Sequence, residues 1–175
     1  MTTTRIGIAL IVAWLSQTTL VPLMAGTGAP VDLVLVVVVF AALARGPVVG
    51  LWTGTLGGLV QDALSAGIIG VSGLAKSIVA VLVGIAGSQF IVATVWHRAL
   101  IIMAASIVHT LCFAGVYVLV GSAVPAAGIR FVVIQAVTNA AVGITAEGFV
   151  RVAPGVFARI RRTRSPLARR HWTMS

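Results

Sequence analysis

Few side chains in this 175-residue sequence could do chemistry: three acids, three histidines and one cysteine, set against twelve Lys and Arg. Enzymatic nucleophiles and metal ligands need such groups at fixed spacings, and the patterns GxSxG, HExxH, the P-loop, a cysteine pair and a His/acid cluster are all missing. Asp62 and Glu147 fall near opposite membrane faces in the topology derived below, too far apart for an acid/base dyad. Cys112 lies in an apolar run without a disulfide partner and reads as packing. No catalytic residue, cofactor site or metal ligand is therefore expected. What remains is a set of polar groups at helical spacing within apolar runs. Asp62 and Lys76 form a candidate intramembrane pair, His109 sits mid-run, and Gln135, Asn139, Gly143, Glu147 and Arg151 recur at every fourth position. Facing lipid, each would be penalised, so each must face protein.

The elements that carry these groups follow from composition. The chain is 59% hydrophobic and 9% charged, whereas a soluble domain carries about a quarter charged residues. A spanning helix needs ~20 mostly apolar residues. Residues 1–150 accommodate six, at about 6–25, 28–44, 48–64, 71–92, 99–120 and 129–150, and residues 151–175 form a basic tail. The expected fold is an all-α membrane protein, a bundle of six transmembrane helices. Turn chemistry separates the spans: Gly26 to Pro30, Arg45-Gly46-Pro47, Ser65 to Gly67, Trp96 to Arg98, and Gly121 to Gly128. Spans two and three are short enough to form a re-entrant hairpin instead, and the first segment has features of a cleaved leader. Trp96 and Trp172 fit interfacial anchors.

Arginine placement sets the orientation. With the N-terminus cytoplasmic, six crossings put Arg5, Arg45, Arg98 and the seven arginines from Arg151 to Arg170 inside, leaving Arg130 outside and Lys76 within a span. The tail then meets the inner leaflet over Phe157–Arg170, where each arginine gains up to about 1 kcal/mol beside anionic lipid. A tail that only enforces orientation is the alternative. Nucleic acid is not an expected partner.

Small-residue stripes indicate how the helices pack, because lipid gives helices no hydrophobic reason to associate. Gly46, Gly50, Gly54 and Gly58 recur every four residues, with Asp62 next in the series. Lys76, Ala80, Gly84 and Ser88 answer on the following span. Joined by a short turn, the two spans run antiparallel, and docking their small faces brings Asp62 near Lys76 at the outer end. The competing expectation is that Asp62 caps the turn through backbone N–H groups near Ser65–Gly67. Glu147 and Arg151 form a helical pair near the cytoplasmic end, and Gln135 or Asn139 is the expected partner of His109.

A family resemblance goes further. The order Ser16-Gln17-Thr18-Thr19-Leu20, Pro30-Val31-Asp32-Leu33, Arg45-Gly46-Pro47-Val48-Val49-Gly50 and Gly57-Gly58-Leu59-Val60-Gln61-Asp62-Ala63-Leu64-Ser65, followed by Gly67, Gly70 and Leu74, resembles the MreD family. Gln135 and Asn139 are similar to that family's final helix. Val31 and Ala66 depart from its usual pattern. The resemblance implies a non-enzymatic, multi-pass inner-membrane component of the bacterial cell-elongation (rod shape) machinery that supports peptidoglycan synthesis. It implies association with MreC and, through it, with RodA, a class B penicillin-binding protein and MreB. Homo-oligomers and contact with membrane lipid are compatible with it. Such proteins are similar in architecture to the substrate-binding subunits of energy-coupling-factor vitamin transporters, and that is the rival function. The short outer loops, poor in aromatic and polar groups, argue against a closed vitamin pocket. An ion or proton carrier built on Asp62, Lys76 and Glu147 is a third reading.

Both termini are expected on the cytoplasmic side. Reporter fusions after Arg170 and within Gly121–Gly128 should then report opposite sides of the membrane, and a common side would overturn the six-span arrangement.

Overall fold

A computed structural model describes residues 3–24, 30–65, 68–89, 94–122 and 128–163, with the side chains of 20–24 and 151–163 left aside. Six α-helices follow one another: α1 Thr3–Met24, α2 Leu33–Arg45, α3 Pro47–Leu64, α4 Val71–Gln89, α5 Val95–Leu119 and α6 Ile129–Thr163. Among the described residues, three stretches are long and apolar enough to cross a membrane: α4, α5 and Ile129–Val150 of α6; α2 is a shorter apolar helix. The expected anchor Trp172, the side chain of Arg151, and Ala66 and Gly67 fall outside the described residues.

Helix ends depart from the hydropathy limits where capping decides them. The second helix begins at Leu33 rather than near residue 28, because the Asp32 carboxylate accepts the Leu35 N–H and caps it. The fifth starts a turn early, at Val95, and the sixth continues thirteen residues past the apolar run. Gly46 belongs to neither neighbouring helix. It is the one-residue joint between α2 and α3, with φ +85°, a left-handed conformation that suits glycine, and Pro47 follows at the first helical position.

The shortest helix is the hub. Val34, Leu35, Val36, Val38, Val39, Ala41 and Ala42 of α2 are buried, so it is apolar on every side. It touches each of the other five helices. Leu10 and Ala13 of α1, Val79, Ala80 and Val83 of α4, Ala99, Ile102 and Ala105 of α5, and Ala140 of α6 complete one core around it. Outward, the bundle presents Ile8, Ile11, Leu15, Leu100, Leu111 and Val118, all more than half exposed. Large apolar side chains exposed in this way suit lipid better than water. Trp96 is 75% exposed at the start of α5.

The α3–α4 seam is backbone against backbone. A Cβ added at Gly58 would overlap the Gly73 backbone, and one at Gly54 would lie 2.8 Å from the Lys76 carbonyl oxygen. One at Gly50 would lie 2.7 Å from the Ala42 Cβ and 3.2 Å from the Ala80 carbonyl oxygen, and one at Gly84 would lie 2.5 Å from the Pro47 Cα. Pairing 58 with 73, 54 with 76, 50 with 80 and 47 with 84 is an antiparallel register. Thr55 and Ser77 hydrogen-bond across it at 2.7 Å. Two expected members of the stripes differ from the rest, although the Gly46 main chain lies 2.9 Å from a Cβ at Gly84. Nothing lies within 4 Å of a Cβ at Gly46, whose role is the joint, and Ser88 is exposed, bonding the Ile85 carbonyl of its own helix. Gly87 instead approaches Leu43.

Gly58→Ala should destabilise the protein by roughly 1–3 kcal/mol, because the nearest neighbours of the added Cβ are main-chain atoms that cannot rotate away. Gly115→Ala, in open space on α5, should be neutral or gain up to ~1 kcal/mol of helix propensity. Denaturation of both variants in the same detergent measures the contrast.

Candidate functional site: a buried lysine latch

Lys76 lies five residues into α4 on the side toward α2 and α5, and its side chain has 0% exposure. An unpaired ammonium there would lack solvation worth several kcal/mol, so the surrounding groups must supply it. The Asp32 carboxylate does, with Oδ2 2.7 Å from Nζ. His109 Nε2 lies 3.2 Å from the same nitrogen. An ammonium only donates, so Nε2 accepts and the ring proton sits on Nδ1.

Each partner is held in turn. Asp32 Oδ1 accepts the Leu35 N–H at 2.9 Å, so one carboxylate caps α2 and neutralises Lys76. Its negative charge also sits at the positive end of the α2 dipole. The Asp32 backbone N–H donates to Asn139 Oδ1 at 2.8 Å. Asn139 Nδ2 donates to Ser106 Oγ at 3.0 Å, which fixes the amide orientation, and Ser106 Oγ donates to the Ile102 carbonyl. Next to Asn139 on α6, Thr138 Oγ1 donates to the Pro30 carbonyl at 2.8 Å, so α6 grips the entry to α2 at two points. Four helices thus converge on one cation: α2, α4, α5 and α6.

The structure does not form the expected Asp62–Lys76 pair. Asp62 is buried, but its Oδ2 accepts the N–H groups of Gly70, at 2.8 Å, and Ser72, at 3.0 Å. The first N–H groups of a helix have no intrahelical acceptor, and Asp62 satisfies them at the start of α4. It is a capping residue of the α3–α4 turn, acting on donors slightly later than Ser65–Gly67. Lys76, on the α4 face toward the hub, reaches Asp32 instead.

The α6 stripe faces protein along its described length. Gln135 Oε1 accepts the Thr110 hydroxyl at 3.1 Å, Asn139 joins the latch, and Gly143 lies against Ile102. Glu147 forms an interhelical salt bridge with Arg98 of α5; the expected pair with Arg151 on its own helix lies outside the described side chains. His109 likewise pairs with Lys76, while the amides of Gln135 and Asn139 are engaged elsewhere. Asp32 is the residue that spacing arguments missed. The available signal was an aspartate directly before an apolar helix, the mark of an N-cap, in a chain with only three acids to answer a buried lysine.

Chemically the cluster is an enclosed ion pair held by hydrogen bonds from neighbouring helices, with His109 Nδ1 buried and lacking a partner among the described residues, an arrangement suited to holding helices in register. Among the described residues no group of three His, Cys, Asp or Glu could hold a metal ion.

Asp32→Ala should cost ~3–5 kcal/mol by stranding the Lys76 ammonium, and adding Lys76→Met should recover much of it. Asp62→Ala and Lys76→Met should be additive within about 0.5 kcal/mol. A thermal-stability cycle on these variants in detergent checks both statements.

No curated protein and no solved structure matches the chain. The family model of the rod shape-determining protein MreD matches residues 2–150, every helix from α1 through the apolar part of α6. That span includes Asp32, Asp62, Lys76, His109 and Asn139, and the chain belongs to the MreD family.

Proposed function

We propose that the protein is a non-enzymatic membrane scaffold of the bacterial cell-elongation machinery. In this reading it binds MreC and, through it, supports peptidoglycan synthesis by RodA and a class B penicillin-binding protein, with MreB on the cytoplasmic side. The observation that carries the reading is the family match over residues 2–150, which gives the chain a role in rod shape determination. The latch agrees with it, since a buried ion pair enclosed by helices serves position rather than turnover. The apolar exterior supports a six-span bundle in the inner membrane, and the arginine distribution supports cytoplasmic termini.

Depletion in a rod-shaped host should cause rounding and loss of rod-complex assembly. Tagged protein purified in detergent should carry MreC and the synthesis enzymes, identified by mass spectrometry. Tight binding of a vitamin by the purified protein, with cell shape unchanged on deletion, would overturn the proposal in favour of a transporter subunit.

A further inference from the structure

The family match ends at residue 150, and α6 does not. The apolar run Ile129–Val150 is 22 residues long, enough for a ~30 Å hydrocarbon core. The helical backbone nevertheless continues to Thr163, thirteen further residues or ~20 Å. This extension belongs to the chain's own sequence beyond the shared family region.

Its composition changes abruptly. After Glu147 the sequence contains no acid and seven arginines, of which Arg151, Arg159, Arg161 and Arg162 fall on the helical extension. Helical register puts positions 149, 152, 153, 156 and 160, occupied by Phe, Val, Ala, Val and Ile, on one side. Positions 151, 161 and 162 fall on the other, with 159 at the border. The pattern is that of a basic amphipathic helix, which lies in a membrane interface. A device to turn it is present. Pro154 has no N–H for the Val150 carbonyl, and its ring disfavours a straight helix, so a bend belongs at Pro154-Gly155.

We propose that residues 151–163 are an amphipathic anchor helix that turns at Pro154-Gly155 and lies along the anionic inner leaflet, its arginines on lipid phosphates. Three arguments favour lipid over an acidic protein surface. The helix has an apolar side that water would not cover and that a headgroup–acyl boundary would. It is tethered directly to a span, which keeps the leaflet within reach at high effective concentration. All of its cations are arginine, whose planar guanidinium engages phosphate oxygens in pairs. The choice of inner leaflet rests on the proposed orientation; the attraction to anionic headgroups does not.

The test uses the full-length protein in nanodiscs of phosphatidylcholine alone or mixed with phosphatidylglycerol. An environment-sensitive dye is attached at Phe157→Cys in a Cys112→Ser background. Anionic discs should at least double the emission and shift it to the blue, and should slow trypsin cleavage of the tail in the unlabelled protein severalfold. Changing Arg159, Arg161 and Arg162 together to Gln should remove both effects. Equal emission and cleavage in the two lipids, or an anionic-lipid effect that survives the triple change, would overturn the proposal. So would a dye that stays in water in both lipids and is shielded only when an acidic cytoplasmic protein is added.

Discussion

A lysine ammonium with no exposed surface needs a counter-charge and acceptors within hydrogen-bond reach, and the interior of this bundle is arranged around that need. Asp32 provides the charge only because it begins α2 where it does. Asn139 receives the Asp32 N–H only because Ser106 orients the amide. Each hydrogen bond has a direction and a length, so a one-turn slip of any of the four helices would break at least one of them. Apolar packing cannot impose such a rule in a bilayer, where side chains and lipid tails are equally apolar. The best-attested use of a buried polar group is to specify register, and the latch does this for α2, α4, α5 and α6 together.

The remaining helices are placed by close approach. Glycines at 50, 54 and 58 let α3 meet the backbone of α4, and Gly84 lets α4 meet Pro47. Trp14 Nε1 donates to the Gly57 carbonyl at 3.2 Å and ties α1 to the same helix. The two devices are linked at Lys76. Its carbonyl lies against Gly54 while its ammonium reaches Asp32, so the seam sets the height at which the latch closes. The brevity of α2 also follows. A helix of thirteen residues, ~20 Å long, is shorter than the hydrocarbon core, but enclosed by five neighbours it meets protein rather than lipid.

Local features of the sequence were legible. Six elements, their breaks, and the small-residue stripe from Gly50 to Gly58 follow from period and turn chemistry, because both act over a few residues. The inward face of α6 at Gln135 and Asn139 was legible too, because polar groups in an apolar span have few other places to go. Partner choice was not. Asp62 and Lys76 are close in sequence and share adjoining stripes, yet the orphan N–H groups at the start of α4 claim Asp62, and Asp32 arrives from a helix that spacing alone does not place beside α4. Gly46 was read both as a turn residue and as a stripe member, and the backbone uses it as the turn. Each difference arises where a backbone or tertiary demand outweighs a regular interval.

Stability alone does not account for these choices. Replacing a buried ion pair by apolar side chains of similar volume is often neutral or stabilising, and each glycine within a helix costs roughly 1 kcal/mol against alanine. A bundle selected only to stay folded could dispense with Lys76, Asp32 and most of the α3 glycines. Their common property is positional. Glycine contacts set how near two backbones lie, and the ion pair sets how far along their axes they may slide. Lys76 is enclosed, and Asp32 is committed on both oxygens to the pair and to the cap of α2. An interior of this kind trades some folding energy for a single relative placement of its helices.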